Sequence, residues 1–213
     1  MTLAISVCEN EYGDTLHEDL KEDFKYVLFR VVADVKINFS HLKAFSYRIL
    51  DRGRKYEYVM DAEDYFKFVR IYGMDCILEG ELLTPRTAKD LERILPNAVI
   101  EELPSRIVIY VPKDRIGLVI GRNGWKARRL SEIMRKRVVV RSGYLLHFNG
   151  LFGRNVRVAV EYEGAIIDRF ILPLQKFVML ANQEGVCVLS KGLGLGGIPD
   201  SYLMSERAYQ NLR

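Results

Sequence analysis

An α+β protein in three parts is what the sequence predicts, with a small module of helices and strands at its centre. Three observations carry that prediction. Between Arg106 and Arg141 a β-prone run, a short helical segment, a two-glycine turn, a second helix and a further strand follow in close order. Before Thr84, strand signals surround one well-capped helix, a mixed α/β pattern. After Gly143 the chain turns to alternating strands, a β-rich pattern. The expected divisions are therefore 1–83, 84–142 and 143–213.

At 213 residues with 49% hydrophobic content, the chain is long enough for real cores and is not a disordered polymer. A net charge of +4 is only mildly basic, so global charge says little about partners. No apolar run reaches the ~18 residues a membrane span needs. The opening MTLAISVCENEYGD has no basic n-region, which argues against a secretion signal and leads us to expect a cytoplasmic protein. Cys8, Cys76 and Cys187 are odd in number and far apart, as expected of reduced, mostly buried thiols rather than a disulfide frame or a zinc site. No metal and no cofactor is expected.

In chain order, seven acids (Glu9, Glu11, Asp14, Glu18, Asp19, Glu22 and Asp23) stand against Lys21 and Lys25. Such a run reads as a solvated helix or loop, or as a docking segment for a basic protein partner. Residues 26–39 are β-branched and aromatic, a strand pattern. Residues 41–50 fit either helix or strand, Asp51 to Arg54 a turn, and Tyr56 to Met60 a returning strand. Asp61 then caps a helix carrying Tyr65, Phe66, Val69 and Tyr72 that stops at Gly73, and residues 76–83 read as a strand. The aromatics Tyr56, Tyr58, Tyr65, Phe66, Phe68 and Tyr72 could offer base-stacking platforms, but their spacing suits a buried face better.

Thr84 or Thr87 can cap the next helix, whose apolar stripe is Ala88, Leu91, Ile94 and Leu95 and whose end is Pro96-Asn97. Strands follow at residues 98–103 and 106–111, then a helical segment at 114–120, the turn Gly121-Arg122-Asn123-Gly124, a helix from Trp125 to Lys136 and a strand at 138–141. Without a Cβ, Gly121 and Gly124 let the backbone bend sharply and a partner chain approach closely. Behind the turn lies a helix N-terminus, whose free N–H groups and dipole favour an anion. From Val111 to Arg141 there are ten Lys/Arg and two acids, a local charge of +8 in a chain of +4, which leaves the remainder at −4. A phosphate chain is the partner that this turn and this concentration of charge suit. Arg122 can meet a phosphate as a planar fork, and Asn123 tolerates the backbone angles of such a turn. On the second helix Ala127, Leu130, Ile133 and Met134 form an inward stripe, with Lys126, Arg129 and Lys136 on the outer side. Arg135, Lys136 and Arg137 are explained by the helix C-terminus alone.

The residues Val119-Ile120-Gly121-Arg122-Asn123-Gly124, in their helix and strand context, resemble the KH domain, in which a GxxG loop clamps single-stranded RNA. The order helix, strand, strand, helix, GxxG, helix, strand resembles the αββααβ arrangement of the type II fold; a type I module would instead borrow strands after Gly143. The run from Thr84 to Ser142 is most similar to the second KH module of NusA-type transcription factors, and also to KH modules attached to PIN-domain ATPases. This resemblance implies single-stranded RNA, or single-stranded DNA, bound by Lys113, Arg115, Ile116, Gly117, Ile120, Gly121, Arg122, Asn123, Gly124, Trp125, Lys126 and Arg129. It also implies an apolar groove around Ile116, Val119, Ile120 and residues 138–140. Trp125 stands where the family has a small or polar residue and could stack on a base or cover the loop from the protein side.

Beyond the module, residues 144–148 and 156–162 alternate, with Val156, Val158, Val160 and Tyr162 on one face, and Gly164 makes a turn. Strands are expected at 166–172 and 186–189, a short helix at 174–182 and a terminal helix over 201–213. The glycines after Lys191 lack the Lys-Ser/Thr of a phosphate loop and read as a surface loop. Catalytic signals are sparse: His17, His41 and His147 have no partner at nucleophile or metal spacing. Asp61, Glu63, Asp64, Glu79 and Glu81 form the best carboxylate set for a metal-dependent nuclease. The expected function is single-stranded RNA binding in transcription or RNA metabolism without enzymatic activity. Its alternatives are a protein-interaction scaffold with a KH fold, or that nuclease.

Overall fold

The computed structural model describes residues 24–191 and 198–213, which hold twelve strands in three sheets and six α-helices, an α+β protein. Cys8, His17, most of the acidic segment and the glycines after Lys191 lie outside the described residues. Among the described residues no helix is long and apolar enough to cross a membrane. The chain divides into two compact units, Met1–Arg86 and Thr87–Arg213.

In the first unit β1 (Leu28–Ala33), β2 (Ser46–Leu50), β3 (Lys55–Asp61) and β4 (Ile77–Leu83) form an antiparallel sheet in the order β2-β3-β1-β4. Its helix α1 (Ala62–Tyr72) starts where the Asp61 carboxylate accepts the Asp64 N–H at 3.0 Å and stops at Gly73, φ +83°. Tyr58 and Phe68 are fully buried and Tyr65 nearly so, while Tyr56, Phe66 and Tyr72 are partly buried and pack against the same core. The strand expected over residues 26–39 is shorter because the chain leaves the sheet after Ala33. That departure lets the Tyr58 hydroxyl accept the Ile37 N–H at 3.0 Å and donate to the Val35 carbonyl at 2.9 Å. The ambiguous residues 41–50 become a strand at Ser46–Leu50, drawn into the ladder by pairing with β3.

The second unit begins with α2 (Ala88–Ile94), capped by Thr87 rather than Thr84 through a reciprocal box with Asp90. Then come β5 (Val99–Glu102), β6 (Arg106–Val111), α3 (Ile116–Ile120), α4 (Trp125–Met134) and β7 (Arg137–Ser142). In the three-stranded sheet β5-β6-β7, β5 pairs antiparallel with β6 and β6 parallel with β7. A parallel neighbour requires a crossover, which α3, the glycine turn and α4 supply. Two elements are shorter than expected. A 3-10 turn, Lys113–Arg115, precedes α3, and Arg135 takes φ +51° and ends α4 before Lys136.

Five strands, β8 (Tyr144–Phe152), β9 (Asn155–Tyr162), β10 (Ala165–Pro173), β11 (Val186–Lys191) and β12 (Pro199–Met204), make an antiparallel sheet in the order β10-β9-β8-β12-β11. Val156, Val158 and Val160 alternate into a core closed by α5 (Leu174–Met179) and α6 (Glu206–Leu212). The tail corrects the expectation of one terminal helix. Residues 199–204 pair between β8 and β11, and the helix starts only after Ser205, whose hydroxyl accepts the Ala208 N–H. Part of this sheet's opposite face, Leu145, Leu203, Cys187 and Leu189, packs against Val99, Val108 and Tyr110 of the three-stranded sheet. Cys76 and Cys187 are free thiols, partly buried, and burial raises both above the usual thiol range.

Candidate nucleic-acid interface

Backbone geometry fixes the glycine turn. Gly121 takes φ +74° and ψ 164°, a region essentially reserved for glycine, and a Cβ there would stand 2.8 Å from Trp125 Nε1 and 2.8 Å from Lys126 Cγ. Asn123 follows at φ +55° and Gly124 at φ +75°, both left-handed. The Gly121 N–H donates to Gly117 O at 2.9 Å and the Gly124 N–H to Gly121 O at 3.0 Å, so the turn is tied to α3 on one side and closed on itself. Arg122 and Asn123 are exposed at its crest. Gly124 offers no side chain to cap α4, so the first N–H groups of that helix have no capping side chain from it.

The surrounding cations differ in availability. Arg115, Arg122 and Arg128 are exposed. Lys113 is exposed but committed: its ammonium donates to Glu163 O at 2.7 Å and lies 3.7 Å from the Glu163 carboxylate. Arg129 pairs with Glu132 at 3.1 Å, and Lys136 with Glu102 at 2.6 Å. Lys126 is half-buried, its ammonium 5.7 Å from the Trp125 ring centroid. Burial pulls the Lys126 pKa down to about 8. It was expected on the outer face with Arg129. Helical spacing explains the difference: residue 126 is one turn before Leu130 and shares its inward stripe, whereas Arg128 faces outward.

Trp125 is half-buried with its indole against the Gly121 backbone. Ile116 and Ile120 are partly buried, Val119 buried, and Gly117 exposed. Leu118, which sequence reasoning passed over, is 67% exposed on α3. Its signal was available, since it is the one aliphatic of that helix outside the 116/119/120 stripe. Ser131 fixes β7 against α4 by donating to Ala127 O at 2.7 Å and accepting the Val138 N–H at 3.0 Å.

The carboxylate set is engaged elsewhere. Glu79 and Glu81 share a strand face, as expected, but Arg30 sits 3.8 and 3.7 Å from them while its Nε donates to Glu57 at 2.9 Å. Asp61 caps α1, Glu63 pairs with Lys67, and burial raises the Asp64 carboxyl above its usual range. Among the described residues no three His, Cys, Asp or Glu side chains converge as a metal site would require.

The half-buried Lys126 gives a pH-dependent stability. Its pKa near 8 lies below the ordinary lysine value, so the unfolded chain holds a proton that the folded chain has released from about pH 8 to 10.5. Stability therefore rises with pH across that window, and the full cost is felt below it. Replacing Lys126 with Met is expected to stabilise the second unit by about 1–2 kcal/mol at pH 7, after allowing for solvent screening. Urea denaturation of both proteins at pH 7, 9 and 10.5 checks this, and the gap should close toward the highest pH.

Comparisons of the chain with protein-family models, with curated proteins and with solved structures give no match.

Proposed function

We propose that the chain is a cytoplasmic, non-enzymatic protein that binds single-stranded RNA through a type II KH module spanning residues 84–142, in transcription or RNA metabolism. One observation carries this reading: a left-handed glycine turn with Arg122 and Asn123 exposed at its crest, set over the N-terminus of α4, in the most cationic stretch of the chain. The element order α2-β5-β6-α3-α4-β7, with β6 and β7 parallel, supports the same reading. Phosphates would meet Arg122, the N–H groups of α4 and Lys126. Bases would lie toward Gly117 and the apolar residues of α3. A nuclease is disfavoured by Arg30 lying between Glu79 and Glu81. A protein scaffold is the second reading, and exposed Leu118 is the observation in its favour.

Binding of short single-stranded RNA and DNA oligonucleotides and of a duplex, each at 50 and 200 mM salt, tests the proposal. Neutralising three or four phosphates of a single strand predicts a roughly twentyfold to fiftyfold loss of affinity over that range. Salt-independent binding, equal binding of the duplex, or no binding would count against it.

A further inference from the structure

The five-stranded sheet has one face only half covered. Leu145, Leu203, Cys187 and Leu189 pack under the three-stranded sheet, and the same face continues across β9 and β10, where among the described residues α5 and α6 lie against the opposite face with Val156, Val158 and Val160. By register, Phe152 pairs with Asn155 and Ile171 with Arg157, and Arg169 with Ala159, placing Phe152, Arg157, Arg169 and Ile171 together on that open face. Phe152 is 56% exposed and Ile171 54%. The Arg157 guanidinium lies 5.3 Å from the Phe152 ring centroid, and neither Arg157 nor Arg169 has a carboxylate partner among the described residues. On the same face, His147 and Glu161 satisfy each other at 3.1 Å.

Two features connect this face to the glycine-turn region. The covered half of the face is where the three-stranded sheet sits, so the open half forms a floor beside it. At the end of β6, Lys113 is hydrogen-bonded to Glu163 at the tip of the β9–β10 hairpin, so the loop leading into α3 and that hairpin are in direct contact. An exposed aromatic with unpaired arginines on a sheet is suited to stacking bases and meeting phosphates. We propose that the open face of β8, β9 and β10 is a second contact surface for the same single strand, taking nucleotides that lie beyond those held at the glycine turn. Phe152 offers a face for a base, and Arg157 and Arg169 meet phosphates. The proposal rests on the RNA-binding reading of the turn, and it extends the footprint past the roughly four nucleotides a GxxG loop clamps.

The test is a length series, single-stranded RNA of 4, 8 and 12 nucleotides, bound by the full chain and by two variants, Arg157→Glu/Arg169→Glu and Phe152→Ala. The native chain should bind the 12-mer at least tenfold more tightly than the 4-mer after correction for the number of binding registers. Both variants should lose most of that gain while binding the 4-mer as the native chain does, and the double-charge variant should show a salt slope shallower by about one to two. If the native chain shows no length gain, or if the variants keep it, the second surface is wrong while the turn reading stands. If the variants instead disturb self-association and leave RNA binding unchanged, the face is a protein contact and the proposal fails. Failure of the native chain to bind any length would sink the turn reading first, and this inference with it.

Discussion

Changing Arg122 and Asn123 together to aspartate is expected to lower the affinity for short single-stranded RNA at least a hundredfold, about 2.7 kcal/mol. Both side chains are exposed at the crest of the turn, where a phosphate would approach the N-terminus of α4. The change removes one charge-assisted hydrogen bond from Arg122, on the order of 1.5–3 kcal/mol, and adds two like charges facing the phosphate. Folding should survive. Asn123 is left-handed at φ +55°, a conformation that aspartate tolerates nearly as well as asparagine. Fluorescence anisotropy with a labelled 8-mer measures the affinity and thermal denaturation controls for the fold. Unchanged affinity in a folded variant would move the binding site away from the turn.

Replacing Gly143 with Val is expected to cost the second unit about 3 kcal/mol or more, the upper part of the range for overpacking. Propensity alone forecasts the reverse, since Gly143 lies between two strands, β7 and β8, and valine favours strands. No positive φ demands glycine here. The obstacle is what surrounds it: a Cβ would fall 2.6 Å from Leu203 Cδ1, 3.0 Å from the Met204 carbonyl oxygen and 3.3 Å from Tyr110 Cβ. Leu203 is completely buried and Met204 O is backbone, so neither can retreat cheaply. Gly143 is thus the point where the chain passes from the three-stranded to the five-stranded sheet with the two in contact. Trp125, the only tryptophan, belongs to this unit, so its fluorescence in urea follows the relevant transition without interference from the first unit. A midpoint equal to that of the native chain would show that the seam can open without cost.

Most of the local structure was readable from the chain. The α1 cap at Asp61, the stop at Gly73, the Thr87 box and the left-handed turn at Gly121, Asn123 and Gly124 follow from residue chemistry acting over three or four positions. Alternation of Val156, Val158 and Val160 identified the inward face of β9. The misreadings were of another kind. Residues 199–204 join a sheet because β8 and β11 flank them, a fact of pairing across more than fifty residues that no local window contains. Lys126, expected on the outer side with Arg129, is half-buried, because it lies one turn before the buried Leu130.

What the sequence determined by itself was the existence of the glycine turn, the type of the flanking elements and the concentration of positive charge around them, since all three depend on residues close together in the chain. Tertiary structure decided which of those charges remain available. It paired Arg129 with Glu132, Lys136 with Glu102 and Lys113 with the β9–β10 hairpin, half-buried Lys126, and left Arg122 and Arg128 exposed. It also brought Phe152, Arg157 and Arg169 onto one open face, because strand register rather than sequence distance sets which side chains become neighbours.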